Sequence, residues 1–306
     1  MKPASLLVVG SLNIDLVGRA AHVPAPGETV LGGELALHAG GKGGNQAVAA
    51  ARMGVAVAFA GAVGDDEHGR LLANGLSEEG VDLGRLRTVA GASGAALITV
   101  ADDGENAITV LPGANRLAPQ PAADDRLDGM GALLMQLELP LATVTAWALH
   151  AQRCGVAVWL NAAPALDLPD ALWAALDAVL VNRDELASLS GTNNLQDGMQ
   201  ALLARGPRCV VVTLGAQGAC ALTADGRVDC AVQPVEVVDT TGAGDTFAGV
   251  WAALRLCGLS TAQALQRANA AAALSCTQPG ARSGMPTAAA AAFARQAGVN
   301  WLQDPA

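Results

Sequence analysis

Apolar residues along this chain come in short runs. Those at 6–9, 55–60, 133–137, 156–160, 178–181 and 210–214 are dense in Val, Leu and Ala and read as buried strands. Between them, 45–53, 67–77, 141–152, 185–190 and 196–204 carry spaced apolar positions and predict helices. Strand and helix alternating at this spacing predict an α/β fold, a parallel sheet with helices on both faces. The last third changes character, with three helices in succession predicted at 246–256, 262–276 and 287–296. Two stretches break the alternation. Residues 29–39 have strand character with no helix after them, and 95–101 and 107–111 flank the turn-rich segment Asp102-Asp103-Gly104-Glu105-Asn106. Together they predict a small antiparallel sheet inserted into the body, either an edge hairpin or a lid over a ligand crevice. No internal repeat is present.

Composition narrows the class. Of 306 residues, 52% are apolar but only 3% aromatic, with no Tyr, three Phe and five Trp. Ala alone supplies 66 positions, so the core must be built from small aliphatics. The longest charge-free run, 209–224, is 16 residues and is broken by glycines, short of the roughly 18 that a spanning helix needs. The N-terminal apolar run is interrupted by Asn13 and Asp15 and reads as a strand rather than a signal peptide, so the expected compartment is the cytoplasm. The six cysteines form no C-x-x-C pair and are expected to be buried thiols. A net charge of −10 argues against nucleic acid, but not against a small anion held by backbone amides. Of the 18 basic residues 16 are Arg, and the only Lys besides Lys2 is Lys42.

The chemistry sits where apolar runs end. In Val238-Asp239-Thr240-Thr241-Gly242-Ala243-Gly244-Asp245, glycines let successive N–H groups turn one way just before a helix, which makes an anion site. Asp245 could cap that helix, or sit beside a bound phosphate and accept a proton from an attacking hydroxyl. Ala39-Gly40-Gly41-Lys42-Gly43-Gly44-Asn45 surrounds the one interior Lys with four glycines. It is either a flexible loop or a close approach to something small. Asn13 and Asp15, after the first strand, alternate onto one face and suit a pair of vicinal hydroxyls, or form a polar turn. Glu138, Asn182 with Glu185, and Thr213-Leu214-Gly215-Ala216-Gln217-Gly218 also follow strands. Asn182 and Glu185 could hold a hydrated Mg²⁺ or simply cap a helix. A dinucleotide fingerprint fails because Phe247 stands where Gly is required, and Gly41-Lys42 is not a phosphate-loop lysine because Ala36 and Gly43 break that pattern.

With GSLNIDL, PAPGETVLGG, AGGKGGNQA, VGDDEHG, GENAITVLPGAN, LLMQLELP, LNAAPA, VNRDE, VTLGAQG and DTTGAGDTFAG in order from residue 9 to about 286, the chain resembles the phosphofructokinase B family of carbohydrate kinases. GGKGGNQAVAAARMG and LPGANRL narrow the likeness to its ribose-phosphorylating branch. The resemblance implies a single ribokinase-like three-layer αβα domain over 1–306, with a mostly parallel central sheet and a lid from about 13–40 and 92–112. It implies transfer of the ATP γ-phosphoryl to O5 of D-ribose, with Asp245 as base and Gly242, Ala243 and Gly244 as anion hole. By the same likeness Asn13, Asp15, Gly41, Lys42, Gly43, Asn45 and Glu138 hold the sugar. Asn182, residues 213–218, Gly244 and Asn269 face ATP, and Glu185 serves Mg²⁺ through water. Asp239, Thr241, Ser275, Gln278, Gly280 and Gly284 form a K⁺ loop, and the lid makes a homodimer contact. With so few rings, adenine is expected between aliphatic side chains and loop backbone. The chain departs from the family pattern at Gly44, where Ala is common, and at Ser283-Gly284-Met285-Pro286, where the serine falls one position early, so Gly284 can offer only its carbonyl. Sibling kinases for deoxyribose, pseudouridine or a ketohexose are the nearest alternatives, and a non-catalytic sugar- or nucleotide-binding regulator the remote one.

Overall fold

The computed structural model describes residues 5–232 and 234–288. The chain runs through β1 (Ser5–Val9), β2 (Asn13–Ala20), β3 (Leu35–Gly40), α1 (Lys42–Arg52), β4 (Val57–Gly64), α2 (Glu67–Glu78) and β5 (Asp82–Val89). There follow β6 (Gly94–Ala101), β7 (Asn106–Leu111), β8 (Met130–Met135), α3 (Leu141–Arg153), β9 (Ala157–Asn161), α4 (Asp170–Trp173) and β10 (Ala178–Asn182). Last come α5 (Arg183–Ser190), α6 (Leu195–Leu203), β11 (Cys209–Thr213), β12 (Ala219–Thr223), β13 (Gly226–Cys230), α7 (Ala243–Leu256) and α8 (Thr261–Ser275).

Nine strands form one sheet in the order β13-β12-β11-β10-β9-β8-β1-β4-β5, parallel except for the β12–β13 hairpin at one edge. Its two faces carry two separate cores. Leu7 and Val9 of β1 join α3 residues such as Trp147 and Ala148, whereas Leu6 and Val8 join Phe59 and the apolar faces of α1, α2, α7 and α8. The alternation of side chains along a strand makes both faces from one apolar run. The arrangement is the expected mostly parallel three-layer α/β fold.

Several boundaries differ from those expected. Helix α1 begins at Lys42 rather than 45, because the glycines at 43 and 44 pack against the β1–β2 segment instead of looping away. Strand β8 ends at Met135, which leaves Gln136 and Glu138 on the rim. Strands β5 and β13 escape the apolar-run reading because each alternates exposed and covered residues at an edge. Of the 29–39 stretch only 35–40 is strand. The helix expected at 287–296 lies, from 289 on, outside the described residues. Not all thiols are buried: Cys154 and Cys257 are exposed, and none of the six is paired.

The second sheet, β3-β2-β6-β7, uses the inserted segments, but it is not wholly antiparallel. Its central pair β2–β6 is parallel. Both strands leave the main sheet in the same direction, β2 after β1 and β6 after β5, so their backbones run alike.

Helices α1 and α7 cross at a glycine. A Cβ on Gly249 would fall 2.4 Å from the carbonyl oxygen of Gln46 and 2.7 Å from Ala49 Cβ. A Gly249→Val substitution is therefore expected to cost about 3 kcal/mol in urea unfolding. Gly75 of α2, with open space around it, should accept Ala with no loss of stability.

Candidate functional site

The C-terminal ends of β1, β8, β9, β10 and β11 converge on the first turn of α7, the rim where parallel sheets bind ligands. Gly242 caps α7 with φ 75°, a left-handed conformation that costs glycine little. The turn after it aims the helix N-terminus at the crevice and leaves Asp245 buried in its first turn.

The Asp245 carboxylate is held on both oxygens. Asn45 Nδ2 donates to Oδ2 at 3.0 Å, and Gln46 Nε2 donates to Oδ1 at 3.0 Å. Gln46 is oriented in turn: its Nε2 also donates to Asn161 Oδ1 at 2.9 Å, and its Oε1 accepts from Gln136 Nε2 at 2.6 Å. A carboxylate fixed this way keeps its remaining lone pairs for a proton arriving from the crevice.

Glu138 ties the glycine segment to β1. Its Oε2 accepts from Ser11 Oγ at 2.5 Å and from the Lys42 amide at 3.1 Å. The Gly43 amide reaches Ser11 Oγ at 3.4 Å, and Gly41 N-caps α1. Asn13, also buried, accepts on Oδ1 from Asn115 Nδ2 at 2.8 Å, and Asn115 Oδ1 accepts from the Leu12 amide at 3.0 Å. Asp15 follows on the same face of β2. Burial raises its pKa to about 6, with the charges of Glu138 and Asp245 adding to the effect and Arg282 opposing it. The Lys42 ammonium is also raised, for a different reason: Asp245 lifts its pKa against the pull of burial, helped by Glu138 and Glu185.

Lys42, Asp245, Asn182, Glu185, Gly242 and Gly244 line one small cavity of about 130 Å³. Asn182 and Glu185 also form a capping box on α5, each side chain bonding the other's amide at 2.8 Å. Capping and pocket-facing positions thus coexist. Burial raises the Glu185 pKa, and only its Oε2 accepts a hydrogen bond from the described residues.

A second cavity of about 540 Å³ adjoins the first through Thr213, Gly244 and Phe247. Val232, Val235, Val237, Ala272 and Cys276 make it largely aliphatic, and among the described residues Phe247 is its one aromatic side chain. Gly215, Ala216, Gly218, Ala243 and Asn269 also line it. Two residues expected there do not. Leu214 packs on the core, and Gln217 turns away to accept from Arg183 Nη2 at 2.9 Å.

Beside the anion turn, Asp239 accepts from the amides of Thr241 and Gly280, each at 2.8 Å. Burial alone would raise its pKa, but these hydrogen bonds outweigh it and hold the carboxyl below its usual value. Ser275 is buried and Gln278 exposed. A Cβ on Gly284 would fall 2.2 Å from the Ser275 carbonyl oxygen. A side chain does not fit there, but an oxygen-only set of one carboxylate and main-chain carbonyls does suit a hard cation. Among the described residues no three His, Cys, Asp or Glu side chains cluster as a metal cage.

Ser11, Gln46, Asn115, Gln136 and Asn161 complete the site without having been singled out by sequence. Their signal was available, since each lies inside a strand-end motif. Arg282 had no such signal, because its chain segment reads as a turn.

Comparison with known proteins bears on this arrangement. The pfkB family of carbohydrate kinases is matched over residues 3–288. A ribokinase of Haemophilus influenzae is 37% identical over 293 residues, which cover 92% of this chain and 95% of that protein. A deoxyribokinase of Salmonella typhi is 33% identical over 293 residues, covering 92% and 95%. The structure of Arabidopsis thaliana ribokinase complexed with ribose and ATP superposes with a TM-score of 0.87 at 32% identity, covering 94% of this chain and 97% of that one. With a buried carboxylate at a helix N-terminus and a glycine segment at its side, the chain belongs to the pfkB family of carbohydrate kinases.

Proposed function

We propose that this chain transfers the γ-phosphoryl group of ATP to O5 of D-ribose, giving D-ribose 5-phosphate and ADP. The observation that carries the reading is the doubly oriented Asp245 carboxylate where the two cavities meet. Asn13 and Asp15 receive the ring hydroxyls, and Lys42 and Glu138 fix the segment beneath them. As the O5–P bond forms and the bond to the leaving ADP oxygen breaks, the O5 proton passes to Asp245. The amides of Gly242, Ala243 and Gly244 face the charge on the transferring group. The nucleotide base lies in the aliphatic cavity.

Mg²⁺ on the ATP phosphates would neutralise their charge, and Glu185 would hold it through water. K⁺ would sit among the Asp239 carboxylate and the carbonyls of Thr241, Ser275, Gln278, Gly280 and Gly284. The exposed Leu35, Leu37, Leu97, Ile108 and Val110 of the small sheet suit a lid-to-lid homodimer. No helix among the described residues is long and apolar enough to cross a membrane. Six unpaired thiols and the need for ATP fit the cytoplasm.

The competing acceptor is 2-deoxyribose, because a deoxyribokinase is among the relatives. Asp15 favours ribose, since the missing hydroxyl would leave a buried carboxylate short of a partner. A coupled assay over a sugar panel is expected to show kcat/KM for ribose at least about tenfold above that for deoxyribose. A preference for deoxyribose, or turnover on neither, overturns the reading.

Asp245→Asn should lower kcat by a factor of about 10²–10⁴ with little change in sugar affinity by calorimetry. Turnover within a few-fold of the parent would remove Asp245 as the base.

Asp15 links binding and stability to pH. With its pKa near 6, the ionised acceptor is lost as pH falls, so the ribose KM should rise roughly tenfold between pH 7.5 and pH 5. The folded-state pKa lies above the ordinary value of 3.8, so ionised Asp15 destabilises the unliganded fold, and the cost grows from about pH 4 to pH 6. Asp15→Asn should therefore stabilise the apo protein by about 2 kcal/mol at pH 7.5 and by nothing below pH 4, read from thermal unfolding. An equal effect at both pH values would place the cause elsewhere.

A further inference from the structure

The turn after α8 carries a half-buried arginine that no step of phosphoryl transfer uses. Arg282 Nε donates to Asn45 Oδ1 at 2.9 Å, and its Nη2 donates to the Gly40 carbonyl at 3.1 Å. The backbone beneath it is pinned, because Arg52 Nη1 donates to the carbonyls of Arg282 and Met285 at 2.7 and 2.9 Å. A guanidinium can only donate. The amide oxygen of Asn45 must therefore face Arg282, which leaves its NH₂ to face Asp245 Oδ2 at 3.0 Å. Without that partner the Asn45 oxygen loses its donor, and the carboxylate alone is left to orient the amide.

The arginine fits for a reason that the sequence shows. A Cβ on Gly44 would fall 2.4 Å from Arg282 Nη2 and 2.5 Å from Leu12 Cδ2. A methyl group at position 44 and the guanidinium of Arg282 would therefore compete for the same space.

The charge suits the place. Burial lowers the Arg282 pKa to about 10, while Asp15, Asp245 and Glu79 oppose the fall, so the group stays protonated at neutral pH. It stands among carboxylates, with the cation Arg52 behind it.

We propose that Arg282, admitted by Gly44, is a positioning residue for phosphoryl transfer that locks the Asn45 amide in the orientation donating to Asp245. This rests on Asp245 as the base, an assignment that the Asp245→Asn variant tests separately. Loss of the base assignment would show there, whereas loss of the present proposal would leave that variant slow.

The test is steady-state kinetics with ribose and MgATP on Arg282→Ala, Arg282→Lys, Gly44→Ala and the Gly44→Ala/Arg282→Ala pair, each with a thermal melt. Arg282→Ala is expected to lower kcat by a factor of about 10–100 and leave the ATP KM within about twofold, since only the acceptor side is disturbed. Arg282→Lys keeps the charge and one donor, so it should recover part of the loss. Gly44→Ala alone should also slow turnover, because its methyl group displaces the guanidinium. The double variant should be no slower than Arg282→Ala, because the methyl then fills vacated space. If the two losses multiply, or if Arg282→Ala keeps kcat within about twofold, the proposal fails. It fails equally if the melts fall while kcat per folded molecule is unchanged, which is the signature of a clamp that only ties the turn to α1. Should Arg282→Ala not fold, Gly44→Ala and Arg282→Lys decide on the same criteria.

Discussion

The contact between Gly249 of α7 and the Gln46 carbonyl of α1 sets where Asp245 sits. Asp245 belongs to the first turn of α7, and its two amide partners are consecutive residues of α1. The distance between those helices is therefore the distance between a carboxylate and the groups that orient it. Interiors are packed too tightly for one helix to shift alone, so the core under α1 and α7 and the geometry of the proposed base are one problem. The shortage of aromatic residues helps here. Alanines and glycines along both helices let the backbones approach, where rings would have held them apart.

Charge is concentrated around this crossing. Glu138, Asp245 and Glu185 surround Lys42, and Asp15 lies beside Arg282, Glu138 and Asp245. Burial makes each charge costly, and the cost shows in the raised carboxyls of Asp15 and Glu185. A hydroxyl-rich ligand removes part of it by donating hydrogen bonds. Such a site is poorer in the empty protein than in the complex, which is the sense in which a binding site differs from a core.

The sequence was informative where one strand end, one turn and one helix start fall within a dozen residues. GSLNID, AGGKGGN and DTTGAGD each place their polar residues on the rim because backbone geometry alone puts them there. Apolar runs found β1, β9, β10 and β11 for a similar reason: a strand buried on both faces needs no partner to be recognised. The edge strands β5 and β13 were hidden because half their residues face water. The amide relay through Gln136, Gln46 and Asn161 was invisible because it joins β8, α1 and β9, and only packing makes those neighbours. Arg282 was hidden for the same reason, at 237 residues from Asn45 along the chain. Leu214 and Gln217 show the converse, since a motif names a loop but not which of its side chains turn inward.

The parallel pairing of β2 with β6 has a mechanical meaning. The small sheet is joined to the main one by two short connections on its central strands, at 10–12 and 90–93, by the β3–α1 junction at Gly41 and by the longer β7–β8 connection at 112–129. Asn13 and Asp15 are part of β2 itself, whereas Asn45 and Asp245 belong to the helices of the body. Any tilt of the small sheet about those connections carries Asn13 and Asp15 across Asn45 and Asp245. In the proposed function the sugar would be the hinge pin: a hydroxylated ring that engages both halves would fix the angle between the two sheets.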